Sequence, residues 1–219
     1  MTKLLSSDKR EYLNLNSLTP VSFSVRRFYQ SAMNKNQTSE PQHSIVSISV
    51  RVLSPADAES YRFVRLLALH EQPPAFGSLP EDEPNLSEIA ARLAESDERC
   101  FFGAFQNNQL IGTVRISRYC APNEKHRAYL GGLYVLPAFR HNGCGRSLVR
   151  QALNWAANAR SIRRVNLTVV TQQKAAICLY QSLGFRIYGT EQETFSKAGR
   201  FYDEHLMTLE LASDNDRNP

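Results

Sequence analysis

The sequence predicts an α/β fold, with one central mixed sheet flanked by helices on both faces. Three observations carry that prediction. Segments with alternating and with helix-spaced apolar residues follow one another in the order β-α-α-β-β-β-α-β-α-β-β. A glycine-rich loop, Arg140-His141-Asn142-Gly143-Cys144-Gly145, joins a strand to a helix in the middle of that order. The 219 residues, 42% hydrophobic and 21% charged, suffice for one packed core plus extensions.

Each element has its own warrant. From Val46 to Val52 apolar and polar residues alternate without a break, which is a strand. After Pro55, the residues Phe63, Leu66, Leu67 and His70 recur at helical spacing and predict a helix over 57–70. Residues 71–85 form a Pro-rich acidic loop, and 86–94 a second short helix. Three strands follow at 100–105, 110–117 and 127–135, with Asn107-Asn108 turning between the first two. Leu148, Ala152, Trp155 and Ala159 share one face of a helix over 145–159. Val165, Leu167 and Val169 alternate in the next strand. A helix over 174–183 puts Ala176, Leu179, Tyr180 and Leu183 on one face and stops at Gly184, a C′ glycine. Strands at 185–194 and 200–211, joined by a hairpin turn at 196–199, close the order.

Composition narrows the function. Lys and Arg total 26 against 21 Asp and Glu, a net +5, of which residues 1–40 carry +3 and the remaining 179 residues only +2. The body is therefore no basic nucleic-acid surface, and nucleic acid is not an expected partner. No apolar run approaches the roughly 18–20 residues of a membrane span, and no secretory signal is evident. Cys100, Cys120, Cys144 and Cys178 lack C-x-x-C pairing and any accompanying His cluster. No metal site is expected, and the thiols read as reduced, in a cytoplasmic compartment. Residues 1–44, rich in Ser, Asn, Gln and Thr, read as a poorly ordered extension; 45–211 is the expected domain and 212–219 a tail. Ser and Arg in the extension also suit an organelle-targeting segment, against which Asp8 and Glu11 weigh, and Met33 offers a later start.

The loop at 140–145 carries the chemistry. Glycines let backbone approach a ligand closely, and a helix N-terminus offers unpaired N–H groups and partial positive charge. Together they make a phosphate site. A Walker loop is excluded, because Gly143-Cys144-Gly145-Arg146-Ser147 has neither its lysine nor its spacing. A dinucleotide fingerprint is excluded too: Leu148 stands where the third glycine belongs, and no acidic residue follows about 20 positions on.

Three motifs in this order resemble the GNAT family of acyl-CoA-dependent N-acetyltransferases, over roughly residues 45–211. Leu133-Tyr134-Val135-Leu136-Pro137-Ala138-Phe139-Arg140 is similar to the family's strand ending in V-x-P-x-x-R. Arg140 to Gly145 matches [QR]-x-x-G-x-[GA]. Gln173 to Phe185 is similar to N-x-x-A-x-x-L-Y-x-x-x-G-F, with Gln173 in place of Asn.

The resemblance implies an acyltransferase that moves an acetyl group from acetyl-CoA, its co-substrate, directly to a primary amine of a small molecule or protein. It implies that Arg140, His141, Asn142, Gly143, Cys144, Gly145 and Arg146 hold the coenzyme's pyrophosphate. Leu133, Tyr134 and Val135 would pair with the pantetheine arm as an added strand, and Gln173 is a further coenzyme contact. An alkyl amine with a pKa near about 10 must lose a proton, and the leaving thiolate, with a pKa near about 8.5, must gain one. The resemblance gives the second task to Tyr180 as general acid. The base stays open among Glu124, His126, Asp203, Glu204, His205 and water, since Tyr129-Leu130-Gly131-Gly132 lacks the carboxylate many members carry there. Glu71, Glu81, Asp82 and Glu83 suggest an acidic rim suited to a cationic amine. The alternative is a catalytically inactive acyl-CoA sensor of the same fold. Sheet-edge pairing would support a homodimer.

Overall fold

The computed structural model describes residues 47–71, 74–159 and 161–211. The expectations for residues 1–44, for 212–219 and for the start of the first strand at Val46 lie outside the described residues.

The strands are β1 Ser49–Val52, β2 Arg99–Gln106, β3 Gln109–Arg118, β4 Arg127–Val135, β5 Arg164–Val170, β6 Arg186–Lys197 and β7 Arg200–Glu210. The helices are α1 Ala58–His70, α2 Leu86–Leu93, α3 Cys144–Asn158 and α4 Lys174–Ser182. They follow one another in the predicted order. The first strand is shorter than the alternation suggests, because its pairing with β2 begins only at Ser49, opposite Phe105.

All seven strands form one sheet in the order β1-β2-β3-β4-β5-β7-β6. Every neighbouring pair is antiparallel except β4 with β5. Two-residue turns join the hairpins: Asn107 and Asn108 have φ of 50° and 62°, Ala198 and Gly199 50° and 73°. Two successive positive φ values belong to the tight turn whose twist matches that of the strands.

Helices cover both faces. Leu148 of α3 lies against Gly112, where an added Cβ would come 3.2 Å from its Cδ1. Tyr61 of α1 meets Phe101 edge-on, with ring centroids 5.5 Å apart. Phe101 pairs with Arg115, and in a pleated strand positions 112 and 115 point to opposite faces. The core fills both interfaces: Phe63, Val64 and Leu67 from α1, Leu148, Val149 and Ala152 from α3, with Ile111, Val114 and Ile116 from the sheet.

One irregularity shapes the middle of the sheet. β4 pairs with β5 only through Arg127–Tyr129, opposite Arg164–Asn166. Beyond Tyr129 the strands part, β4 staying on β3 and β5 on β7. At the same level β4 bulges. Thr113 pairs with Tyr134 and Arg115 with Gly131, so Gly132 and Leu133 together face Val114. Gly132 sits at φ +66°, left-handed backbone that a glycine adopts without strain.

Candidate active site

The parted strands open into a cleft of about 850 Å³ that runs from the N-terminus of α3 to the space beneath α1 and α2. Every residue predicted to bind the coenzyme, and Tyr180, borders it except Asn142, which is exposed. Tyr180, Leu133, Tyr134, Val135, Arg140, His141, Gly143, Cys144, Gly145, Arg146 and Gln173 thus share one wall system.

At one end, α3 starts directly from the glycine-rich loop. Its N-cap is Gly143, left-handed at φ 76°, and His141 is left-handed at φ 64°. The first helical bond runs from the Ser147 N–H to the Gly143 carbonyl at 3.0 Å. The N–H groups of Cys144, Gly145 and Arg146 therefore have no carbonyl within the helix to meet, and they carry the positive end of its dipole. This donor set fits a diphosphate. Cys144 is buried, and burial pushes its thiol up to about 11. It stays protonated at neutral pH despite its place in the first helical turn.

The arginines of this loop have partners. Arg140 donates from Nε to the Val135 carbonyl at 2.9 Å and grips Glu71 with both terminal nitrogens at 2.7 Å. It pins the end of β4 to the end of α1. Arg146 donates to the Ser182 hydroxyl at 2.7 Å, which donates in turn to the Leu179 carbonyl at 2.6 Å. Gln173 donates to the Pro74 carbonyl at 3.3 Å.

In the middle of the cleft lies Tyr180, 6% exposed. Burial pushes its phenol far up, and the neighbouring Tyr129 adds to the shift. It is neutral and carries a proton to give. Its place is set by the end of α4. Gly184, at φ +94°, turns the chain so that the Phe185 N–H reaches the Tyr180 carbonyl at 3.1 Å and its own N–H reaches that of Gln181 at 3.0 Å. These are the paired bonds of a Schellman stop.

Facing Tyr180, the Tyr129 and Thr168 hydroxyls are 2.8 Å apart, bridging the parted strands. Glu204 of β7 borders the cleft beside them. Burial raises its carboxyl above the usual range, Thr168 opposes with a hydrogen bond, and Glu191 adds to the rise. The other predicted base candidates are elsewhere. Glu124 pairs with Arg127 at 2.9 Å, Asp203 accepts from the Glu193 N–H at 2.9 Å, and the His205 ring bonds Thr190 at 2.8 Å. None of these three, nor His126, borders the cleft.

Two of the four carboxylates of the acidic rim meet arginines. Glu71 is held by Arg140, and Glu83 lies 3.5 Å from Arg65. The loop folds back onto basic groups that sequence separation hides. The sequence reading also missed Arg65, Arg115, Tyr129 and Thr168, which no local motif marks, and the bulge at Gly132, which the Gly131-Gly132 pair inside a strand does signal.

A profile of the Acetyltransferase (GNAT) family matches residues 63–185. L-amino acid N-acetyltransferase AaaT of Escherichia coli strain K12 is 25% identical over 157 residues, covering 71% of this chain and 95% of that protein. The structure of a GNAT-family acetyltransferase from Streptococcus pneumoniae superposes with a TM-score of 0.69 at 26% identity, over 76% of this chain and all of that one. The acetyltransferase yncA from Salmonella typhimurium, solved with acetyl-CoA, gives a TM-score of 0.68 at 19% identity, over 76% of this chain and 95% of that one.

Proposed function

The chain belongs to the GNAT acetyltransferase family and transfers an acetyl group from acetyl-CoA to an amine, and from that premise we propose how the cleft divides the work. One observation carries the reading. The unclaimed N–H groups of α3, the parted edge of β4 and the buried phenol of Tyr180 open into the same cleft.

The coenzyme supplies the acetyl thioester. Residues 140–146 bind its diphosphate through backbone N–H groups, and Leu133, Tyr134 and Val135 offer their unpaired edge to the pantetheine arm. Arg140 acts from behind: its bond to the Val135 carbonyl and its grip on Glu71 hold that edge open. Gln173 braces the α1–α2 loop through Pro74.

Tyr180 is the general acid, and its Oη gives a proton to the departing thiolate. Its raised pKa suits this task, because the phenol stays protonated until the thiolate forms. The base is Glu204. A proton leaving the incoming amine passes to Tyr129 Oη, on through Thr168 Oγ1, and to the Glu204 carboxylate. Cys144 forms no acyl intermediate, because its thiol is buried and protonated. The transfer is therefore direct.

The catalytic unit is residues 45–211, supported by the family match and by the sheet from Ser49 to Glu210. A reducing, cytoplasmic compartment suits the free cysteines. The acceptor does not follow from the relatives: AaaT is named for L-amino acids, but 25% identity does not carry an acceptor over. Free CoA release measured against a panel of primary amines tests the reading. Turnover on at least one amine supports it; tight acetyl-CoA binding without turnover on any returns the chain to the sensor reading.

A further inference from the structure

The cleft is lined by arginines that the coenzyme reading does not use. Arg65 of α1, Arg92 of α2 and Arg115 of β3 all border it, against Asp82 and Glu83. Three guanidinium groups and the carboxylates of Asp82, Glu83 and Glu204 thus line the cleft where the acceptor must enter.

Arg65 shows the need most clearly. Its side chain is only 16% exposed, and its guanidinium carbon lies 4.5 Å over the Phe76 ring. Nε is 3.5 Å from Glu83 Oε2, a long contact, and Nη1 is buried without any hydrogen-bond partner. A buried charged donor left unpaired is costly, and a planar guanidinium satisfies such donors best with a two-oxygen anion.

Arg115 supplies the second contact. It stands opposite Gly131, where an added Cβ would lie 3.5 Å from Arg115 Nη2 and 3.0 Å from the Tyr129 ring. Glycine at 131 therefore leaves room that both the Arg115 guanidinium and the Tyr129 ring border. The exposed Arg115 side chain makes no hydrogen bond or ion pair with any described residue. Its guanidinium is one side chain away from the Tyr129–Thr168 bridge to which the amine delivers its proton.

We infer that the acceptor is a small amine bearing a carboxylate next to its amino group, an α-amino acid, whose carboxylate is held by Arg65 and Arg115. This inference rests on the acetyl-transfer reading of the cleft. It also narrows the expectation of a cationic amine drawn from the acidic rim, since Glu71 and Glu83 of that rim are engaged by arginines. Tyr61, Phe76, Ile89 and Phe101 border the same space and favour an apolar side chain.

Three probes of one shape test it: L-leucine, L-leucinamide and 3-methylbutylamine. Turnover is read as CoA release, and binding to the acetyl-CoA-loaded protein by calorimetry. Leucine is expected to exceed both others in kcat/KM by at least about 10-fold, the scale of a lost charged contact. Arg65→Met and Arg115→Met are each expected to shrink that ratio by about 10-fold while acetyl-CoA binding persists. Equal use and equal binding of leucine and 3-methylbutylamine overturn the arginine subsite but leave acetyl transfer standing. Leucine binding alone, with no acetylation of any probe, supports the subsite and overturns the catalytic reading. Folding of both variants is checked by their melting temperatures, and Arg65→Lys, which keeps the charge, is expected to recover part of the preference.

Discussion

Phe185 packs edge-on against Tyr180, with ring centroids 5.7 Å apart at 64°, while its backbone N–H holds the Tyr180 carbonyl at 3.1 Å. One residue thus fixes both the ring and the backbone of the proposed acid. The link is local in origin. A Schellman stop brings the residue after its glycine back onto the last helical turn, where a hydrophobic contact completes it. The L-Y-x-x-x-G-F spacing is the sequence record of that geometry.

Gly184→Ala tests the link. Alanine at φ +94° incurs the left-handed penalty of about 1–2 kcal/mol, and its Cβ would press on Leu209 Cδ1 at 3.2 Å. Calorimetry is expected to show a melting temperature lowered by about 2–4 °C per kcal/mol. A fall in kcat should accompany it as Tyr180 loses its support. An unchanged melting temperature contradicts the assignment of this turn.

Arg140→Met separates positioning from charge. The variant loses the bond to the Val135 carbonyl and the paired contact with Glu71. Both partners of the ion pair are about one-third exposed, so the stability cost is expected near 1 kcal/mol or below. The larger effect is expected on KM for acetyl-CoA, because the edge of β4 is no longer held. A fall in kcat at constant KM would place Arg140 in the chemistry instead.

The order of strands and helices along the chain, the two hairpin turns and the glycine-rich start of α3 were legible because each rests on local signals: alternation, paired turn residues, glycines at a helix start. The Tyr180 assignment came through the motif, since its spacing alone also describes a core aromatic. Glu204 was one of five candidate side chains until the parting of β4 from β5 aimed only that one into the cleft. The proposed arginine subsite was not legible: Arg65, Arg92 and Arg115 come from three elements and line one cleft only in the folded chain. The same holds for Glu71 and Arg140, 69 residues apart.

Glu204→Gln addresses the base through its pH dependence. The folded carboxyl is raised by burial, so the base form is lost as pH falls through a value above the ordinary carboxylate range. The acid limb of kcat is expected there in the native enzyme and absent in the variant, whose kcat should be lower by roughly 10²-fold. The stability sign is opposite. A raised carboxyl means the folded state binds the proton more tightly, so this group's contribution is greatest at low pH and is lost as pH rises through the folded pKa. An acid limb unmoved in Glu204→Gln assigns the base elsewhere.

Cys144→Ala is expected to turn over, with no acetyl group retained on the native protein after quenching, as direct transfer requires. With its thiol at about 11, Cys144 is also expected to resist alkylation at pH 8 while the exposed Cys120 and Cys178 react. Mass spectrometry reads both outcomes. A stable acetyl adduct on Cys144 contradicts direct transfer.

The central claim is that the Tyr180 phenol protonates the leaving thiolate, and Tyr180→Phe tests it most directly. The substitution keeps the ring against Phe185 and removes only the hydroxyl. With an amine found to turn over, kcat is expected to fall roughly 10²–10⁴-fold, while the acetyl-CoA dissociation constant and melting temperature stay unchanged. A kcat within threefold of the native value, at unchanged coenzyme affinity, contradicts the account.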